Sequence, residues 1–157
     1  MDTIYKKQYL CYKFYLCIIK NYMEKMLPEN DLKVGTGKVL VIDDDPVLVQ
    51  LVEEMLDIMG YKSVSSISSK EGLQRFKDAP KDFDLIITDM TMPEMNGDML
   101  AREIISIRKN IPIILCTGFN EQINEEEAKK IGICEFILKP VNMKTLSETI
   151  QRAICKF

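Results

Sequence analysis

Lys38-Val39-Leu40-Val41-Ile42-Asp43-Asp44-Asp45 is the stretch on which the reading of this chain turns. An aliphatic run rich in β-branched residues passes directly into three acids. That is the pattern of a short strand buried on both faces and ending in a polar crevice. Leu85-Ile86-Ile87-Thr88-Asp89 ends the same way. Ile113-Ile114-Leu115-Cys116-Thr117 ends in a hydroxyl followed by Gly118, and Phe136-Ile137-Leu138-Lys139-Pro140 ends in a lysine before a proline. In an open parallel sheet the carboxyl ends of adjacent strands converge on one crevice. Asp43, Asp44 and Asp89 are therefore expected to share a pocket. Clustered carboxylates repel one another unless something positive sits among them, and a hard divalent cation such as Mg²⁺ suits oxygen ligands.

Outward from these runs, strand-like and helix-like patterns alternate, which is the mark of a parallel sheet wrapped by helices. The spacing predicts strands over residues 38–43, 62–66, 84–88, 112–116 and 134–138. Asp45 reads as the N-cap of a first helix with Pro46 in its first turn. Val47, Leu48, Leu51, Val52, Met55, Leu56 and Met59 form its apolar face, and Gly60 stops it. Ser68-Ser69-Lys70-Glu71 matches a capping box that opens a second helix over 72–77. Further helices are predicted from the turn at residues 92–97 to about Ile107, around 121–131, and from about Lys144. The fold class is α/β: a doubly wound, five-stranded parallel sheet, (βα)5, with strand order 2-1-3-4-5.

Composition excludes a good deal. The 157 residues are 46% hydrophobic, enough for one domain with a core. A net charge of −3 without a long basic stretch lacks the footprint of nucleic-acid binding. The chain has no histidine, which removes Ser-His-Asp and Cys-His catalysis, histidine-ligated metals and any role as a phosphohistidine donor. Its five cysteines (Cys11, Cys17, Cys116, Cys134, Cys155) are odd in number and contain no CxxC. They read as buried or incidental thiols of a reducing cytoplasm.

Residues 1–37 differ from the rest. Five of the six tyrosines fall there, at 5, 9, 12, 15 and 22, with lysines at 6, 7, 13, 20 and 25. The apolar stretch 9–19 is broken by Lys13 and is shorter than the ~20 residues of a spanning helix. No cleavage site follows it. The segment reads as an atypical extension and linker before a domain over 38–157, with an interfacial or partner-binding helix as the functional alternative.

Four segments, Val41-Ile42-Asp43-Asp44-Asp45, residues 89–97 (Asp-Met-Thr-Met-Pro-Glu-Met-Asn-Gly), Cys116-Thr117-Gly118 and Leu138-Lys139-Pro140, together resemble the receiver domain of two-component response regulators. The likeness runs from about Gly37 to Lys156 and implies a flavodoxin-like receiver fold. It implies that Asp89 is the phosphoacceptor, forming an acyl phosphate by carboxylate attack. It implies a Mg²⁺ site, with Mn²⁺ as the alternative ion, made by Asp43, Asp44, Asp89 and the Thr91 backbone carbonyl. Lys139 would contact a phosphoryl oxygen after a cis Lys139-Pro140 bond, and Thr117 would hydrogen-bond another. Thr117 and Phe136 would couple as a switch, while Thr91 and Phe119 sit where receivers tune phosphate lifetime. The implied partners are a sensor histidine kinase or a histidine phosphotransfer protein, plus a downstream protein. Neither nucleic acid nor a membrane span is expected, and the location is the cytoplasm.

Such a chain catalyses its own phosphorylation and dephosphorylation but is chiefly a signalling switch. With no output domain after the last helix, it is expected to be a stand-alone receiver or the terminal receiver of a hybrid kinase. Two readings compete. Asp43-Asp44-Asp45-Pro46-Val47 also satisfies the Asp-x-Asp-x-Val pattern of haloacid-dehalogenase-type phosphatases, which would leave Asp89 without a role. A receiver-like binding module that is never phosphorylated is the other.

Overall fold

Each aliphatic run becomes a strand, and each strand is followed by a helix. The computed structural model describes residues 35–118 and 125–156, and of residues 125–127 the backbone only. The expectations for 1–34, for 121–124 and for Phe119 lie outside the described residues. The order is β1 (Lys38–Ile42), α1 (Pro46–Ile58), β2 (Lys62–Ser66), α2 (Ser69–Asp78), β3 (Leu85–Asp89), α3 (Gly97–Ile107), β4 (Ile113–Thr117), α4 (Glu125–Ile131), β5 (Glu135–Leu138) and α5 (Met143–Ile154). The strands form one parallel sheet in the order β2-β1-β3-β4-β5, as the alternating pattern predicts.

The central strands β3 and β4 are buried along their whole length, because helices cover both faces. Leu40, Ile42, Ile86, Ile113 and Leu115 meet Leu73 and Phe76 of α2 and Leu100 and Ile104 of α3 in one cluster. The alternating residues Val39, Val41, Ile87 and Ile114 are equally buried and project to the other face, toward α1 and α5. Burying one such aliphatic side chain contributes about 2 kcal/mol, so these interleaved sets supply the main stabilising term. Charge joins the edge of the sheet to its last helix. Glu135 at the start of β5 receives Arg152 Nε at 3.1 Å and Lys156 Nζ at 2.6 Å from the end of α5.

Local signals hold with three differences. Asp45 Oδ1 accepts the Val47 N–H at 2.8 Å, and Pro46 occupies the first turn of α1. Gly60, with φ +86°, takes the left-handed conformation just past the helix end. Val47, placed by periodicity on the apolar face, is 44% exposed, while Val49 is buried. Val47 continues the exposed run of residues 44–46 at the helix entry, whereas Leu48 and Val49 after it turn inward. The second helix starts earlier and ends later than residues 72–77, spanning Ser69–Asp78. The capping box is only half formed. Ser68 Oγ accepts the Glu71 N–H at 3.4 Å, but the Ser68 N–H goes to Ser66 Oγ at 3.2 Å. The Glu71 carboxylate instead accepts from Ser66 Oγ and from Arg75. A hydroxyl from the strand end has taken the place the glutamate was expected to fill.

Candidate functional site

The carboxyl ends of β1, β3 and β5 deliver Asp43, Asp89 and Lys139 to one place. Asp43 is 7% and Asp89 5% exposed, while Asp44 faces solvent. Carboxylate oxygens of the three acids lie within 4.8 Å of one another. Lys139 Nζ stands between the two buried acids, 2.8 Å from Asp43 Oδ2 and 2.5 Å from Asp89 Oδ1. The remaining oxygens take backbone donors: Asp43 Oδ1 accepts the Asp45 N–H at 2.9 Å, and Asp89 Oδ2 accepts the Thr91 N–H at 2.9 Å. The Lys139-Pro140 peptide is cis. Asp45 is outside the cluster, since its carboxylate caps α1.

The electrostatics follow from this packing. A small cavity under the cluster is walled by Leu48, Val52, Cys116 and Val141. Burial pushes the Asp89 carboxyl above the usual carboxylate range. Lys139 and the Thr91 N–H oppose that rise, and the like charge of Asp43 adds to it. For Lys139, burial alone would lower the ammonium, but the two carboxylates outweigh it and raise it. Lys139 is therefore a fixed cation. Cys116 pairs with Asp89 across the β3/β4 ladder, and burial pushes its thiol up to about 12. It is an inert core thiol at neutral pH. Cys134 is half-buried and Cys155 exposed.

The other sequence-predicted residues fall around the cluster. Thr117 ends β4 and is 1% exposed, and its hydroxyl donates to the Gly118 carbonyl at 3.3 Å. By strand alternation it shares the sheet face of Leu115, the side of α3 and α4. Phe136 pairs with Leu115 across the β4/β5 ladder and packs half-buried against the core on that same side. Thr91 is exposed and follows Asp89 in the loop that leads into α3. Gly97 ends that loop where only a glycine fits, because a Cβ would overlap the Asp89 carbonyl oxygen. Sequence reasoning missed Ser69, whose hydroxyl donates to the Pro93 carbonyl at 3.2 Å. No local motif marks a bond between residues so far apart in the chain.

Three carboxylates of which two are buried, balanced by a single ammonium, leave an excess of negative charge on hard oxygen donors. That donor set fits a divalent cation such as Mg²⁺. No helix among the described residues is long and apolar enough to cross a membrane.

The family model for the response regulator receiver domain matches residues 39–151. The chain is 31% identical over 120 residues to the transcriptional regulatory protein ZraR of Salmonella typhimurium, covering 76% of this chain and 27% of ZraR. It is 29% identical over 119 residues to the two-component response regulator ARR11 of Arabidopsis thaliana, covering 76% of this chain and 23% of that protein. It thus spans about a quarter of the length of these curated relatives. Among solved structures, a response regulator receiver domain protein from Clostridium thermocellum superposes with a TM-score of 0.72 at 37% identity, covering 76% of this chain and 95% of that one. The Vibrio cholerae chemotaxis protein CheY4 superposes with a TM-score of 0.68 at 30% identity, covering 76% and 99%.

Proposed function

Because the chain belongs to the response regulator receiver domain family, we propose that it is a phosphoacceptor switch whose acceptor is Asp89. The observation that carries this reading is the placement of Lys139 Nζ against both Asp43 and Asp89 in one pocket at the strand ends. As for the family, the phosphoryl donor is a phosphohistidine on a sensor kinase or histidine phosphotransfer protein, and it is a separate group because this chain has no histidine of its own. An Asp89 oxygen attacks phosphorus in line as the N–P bond of the donor breaks. The electron pair returns to the imidazole nitrogen, and an acyl phosphate remains on Asp89.

The residues divide the work. Lys139 keeps its charge through the neutral pH range and moves from the free carboxylate onto a phosphoryl oxygen, a point charge suited to phosphate. The Thr117 hydroxyl donates to a second phosphoryl oxygen. Asp43, Asp44, Asp89 and the Thr91 carbonyl would hold Mg²⁺ or Mn²⁺, which when bound neutralises charge on the transferring group. The withdrawal of Thr117 toward phosphate frees space for Phe136, altering the surface of α4, β5 and α5 that a downstream protein reads. Phe136 lacks a hydroxyl, so this coupling is one of packing alone. This reading places the domain in the cytoplasm, and it assigns residues 1–37 no part in the chemistry.

Incubation with acetyl phosphate and Mg²⁺ tests the proposal. Intact mass should rise by one phosphoryl group in the parent and stay unchanged in Asp89→Asn. Full labelling of Asp89→Asn would sink the assignment.

A further inference from the structure

The loop of residues 90–96 carries Thr91 past the carboxylate cluster, and β3 alone does not impose its shape. Glu94 within it has φ +69°, in the left-handed region that a residue with a Cβ seldom adopts. Two contacts from α2 hold it there. Ser69 Oγ donates to the Pro93 carbonyl at 3.2 Å, and Lys70 Nζ pairs with Glu94 Oε1 at 2.8 Å. The Pro93 carbonyl also accepts the Met95 N–H at 2.8 Å, and the Gly97 N–H closes the loop onto the Met90 carbonyl at 2.8 Å. At the front of the loop the Thr91 N–H reaches Asp89 Oδ2.

We propose that Ser69 is a positioning residue for the Asp89 pocket: by holding the Pro93 carbonyl it keeps residues 90–96 in the conformation that presents the Thr91 backbone to Asp89. This rests on the reading of that pocket as the metal and phosphoacceptor site. Ser69 is 1% exposed, so the donor side of this bond is withdrawn from solvent, while Pro93 lies at the surface. Lys70 and Glu94 are both well exposed, and a surface pair of that kind contributes little. The buried hydroxyl is therefore the main hold, and the ion pair trims it. The segment that bears Ser69 is itself tied to the other half of the site. The Asp43 N–H donates to the Ser66 carbonyl at 3.2 Å, and the Ser68 N–H donates to Ser66 Oγ at 3.2 Å. Residues 66–69 thus touch both the strand end that bears Asp43 and the loop that follows Asp89, which sets the spacing between the two halves of the donor set.

Ser69→Ala in the full chain removes the donor with little change of volume. Two readouts decide: amide hydrogen exchange at Thr91 without metal, and Mg²⁺ affinity by calorimetry. Thr91 exchange should accelerate roughly tenfold or more while Leu73 and Phe76 in α2 keep parental protection. Mg²⁺ affinity should fall roughly tenfold, as for loss of a group that orients a ligand. Adding Glu94→Gly, a residue that takes the left-handed conformation without strain, should restore much of the Thr91 protection. A purely structural role in α2 predicts no such rescue. Parental exchange at Thr91 in Ser69→Ala, equal acceleration throughout α2, or absence of rescue overturns the inference. If the parent protein binds no Mg²⁺, the proposed function fails, and the exchange measurements still decide the role of Ser69.

Discussion

Removing Lys139 should turn a held carboxylate pair into a repelling one. In Lys139→Met the stem is kept and the ammonium is lost. At an effective dielectric near 20, contacts of 2.8 Å and 2.5 Å are each worth about 6 kcal/mol of attraction. Desolvation of the three groups cancels much of that, and breaking a buried pair costs about 3–5 kcal/mol. The Lys139 side chain is 23% exposed, so water screens part of the loss and the low end, about 3 kcal/mol, is expected. For a domain of this size that is a fall of roughly 10 °C in Tm, read by circular dichroism in EDTA at pH 8.

The pH dependence supplies a second arm. Asp89 already lies above the usual carboxylate range in the parent, and loss of the cation raises it further. A raised folded-state value means that the native state binds the proton more tightly than the unfolded chain. Stability is then lowest above that value and is regained as pH falls through it. The deficit of Lys139→Met relative to the parent should therefore shrink from pH 8 toward pH 5. Millimolar Mg²⁺ should raise the Tm of the variant more than that of the parent, since it supplies the missing positive charge. A Tm within about 2 °C of the parent at pH 8, or a deficit independent of pH, would refute the claim that Lys139 holds this pair together.

In Gly97→Ala the new Cβ would overlap the Asp89 carbonyl oxygen and lie 2.6 Å from Leu115 Cδ1, so the first turn of α3 must shift. A loss of about 1–3 kcal/mol in urea unfolding is expected, with slower labelling of Asp89, and parental stability would show that α3 yields freely. Phe119→Glu should speed the decay of phospho-Asp89 after donor removal, by tenfold for each ~1.4 kcal/mol of lost shielding, and an unchanged or slower decay removes Phe119 from the path of water.

Much of this protein is legible in its sequence, because its strongest signals are local. A β-branched run buried on both faces has little alternative to a central parallel strand, and β1, β3 and β4 appear where Val39, Ile86 and Ile114 place them. Caps are equally local: Asp45 accepts a backbone N–H two residues on and opens α1, as its place before Pro46 predicts. Strand ends that converge in any doubly wound sheet made the clustering of Asp43 and Asp89 readable as well. Side-chain facing at a helix entry was less legible, as exposed Val47 and the half-formed capping box at Ser68 show. There a neighbouring strand end competes with the periodic pattern.

What only the tertiary structure decided is how the parts of the site hold one another. Lys139 meets Asp43 across 96 residues of chain, and its choice of both buried acids, rather than exposed Asp44, depends on which oxygens remain after the Asp45 and Thr91 N–H groups are satisfied. The bond from Ser69 to Pro93 depends on where α2 lands beside the loop after β3. Hydrophobic pattern acts residue by residue and survives translation into sequence. Hydrogen-bond pairing among groups distant in the chain does not, because it is chosen only once the sheet has fixed which donors and acceptors lie within 3 Å or so of each other.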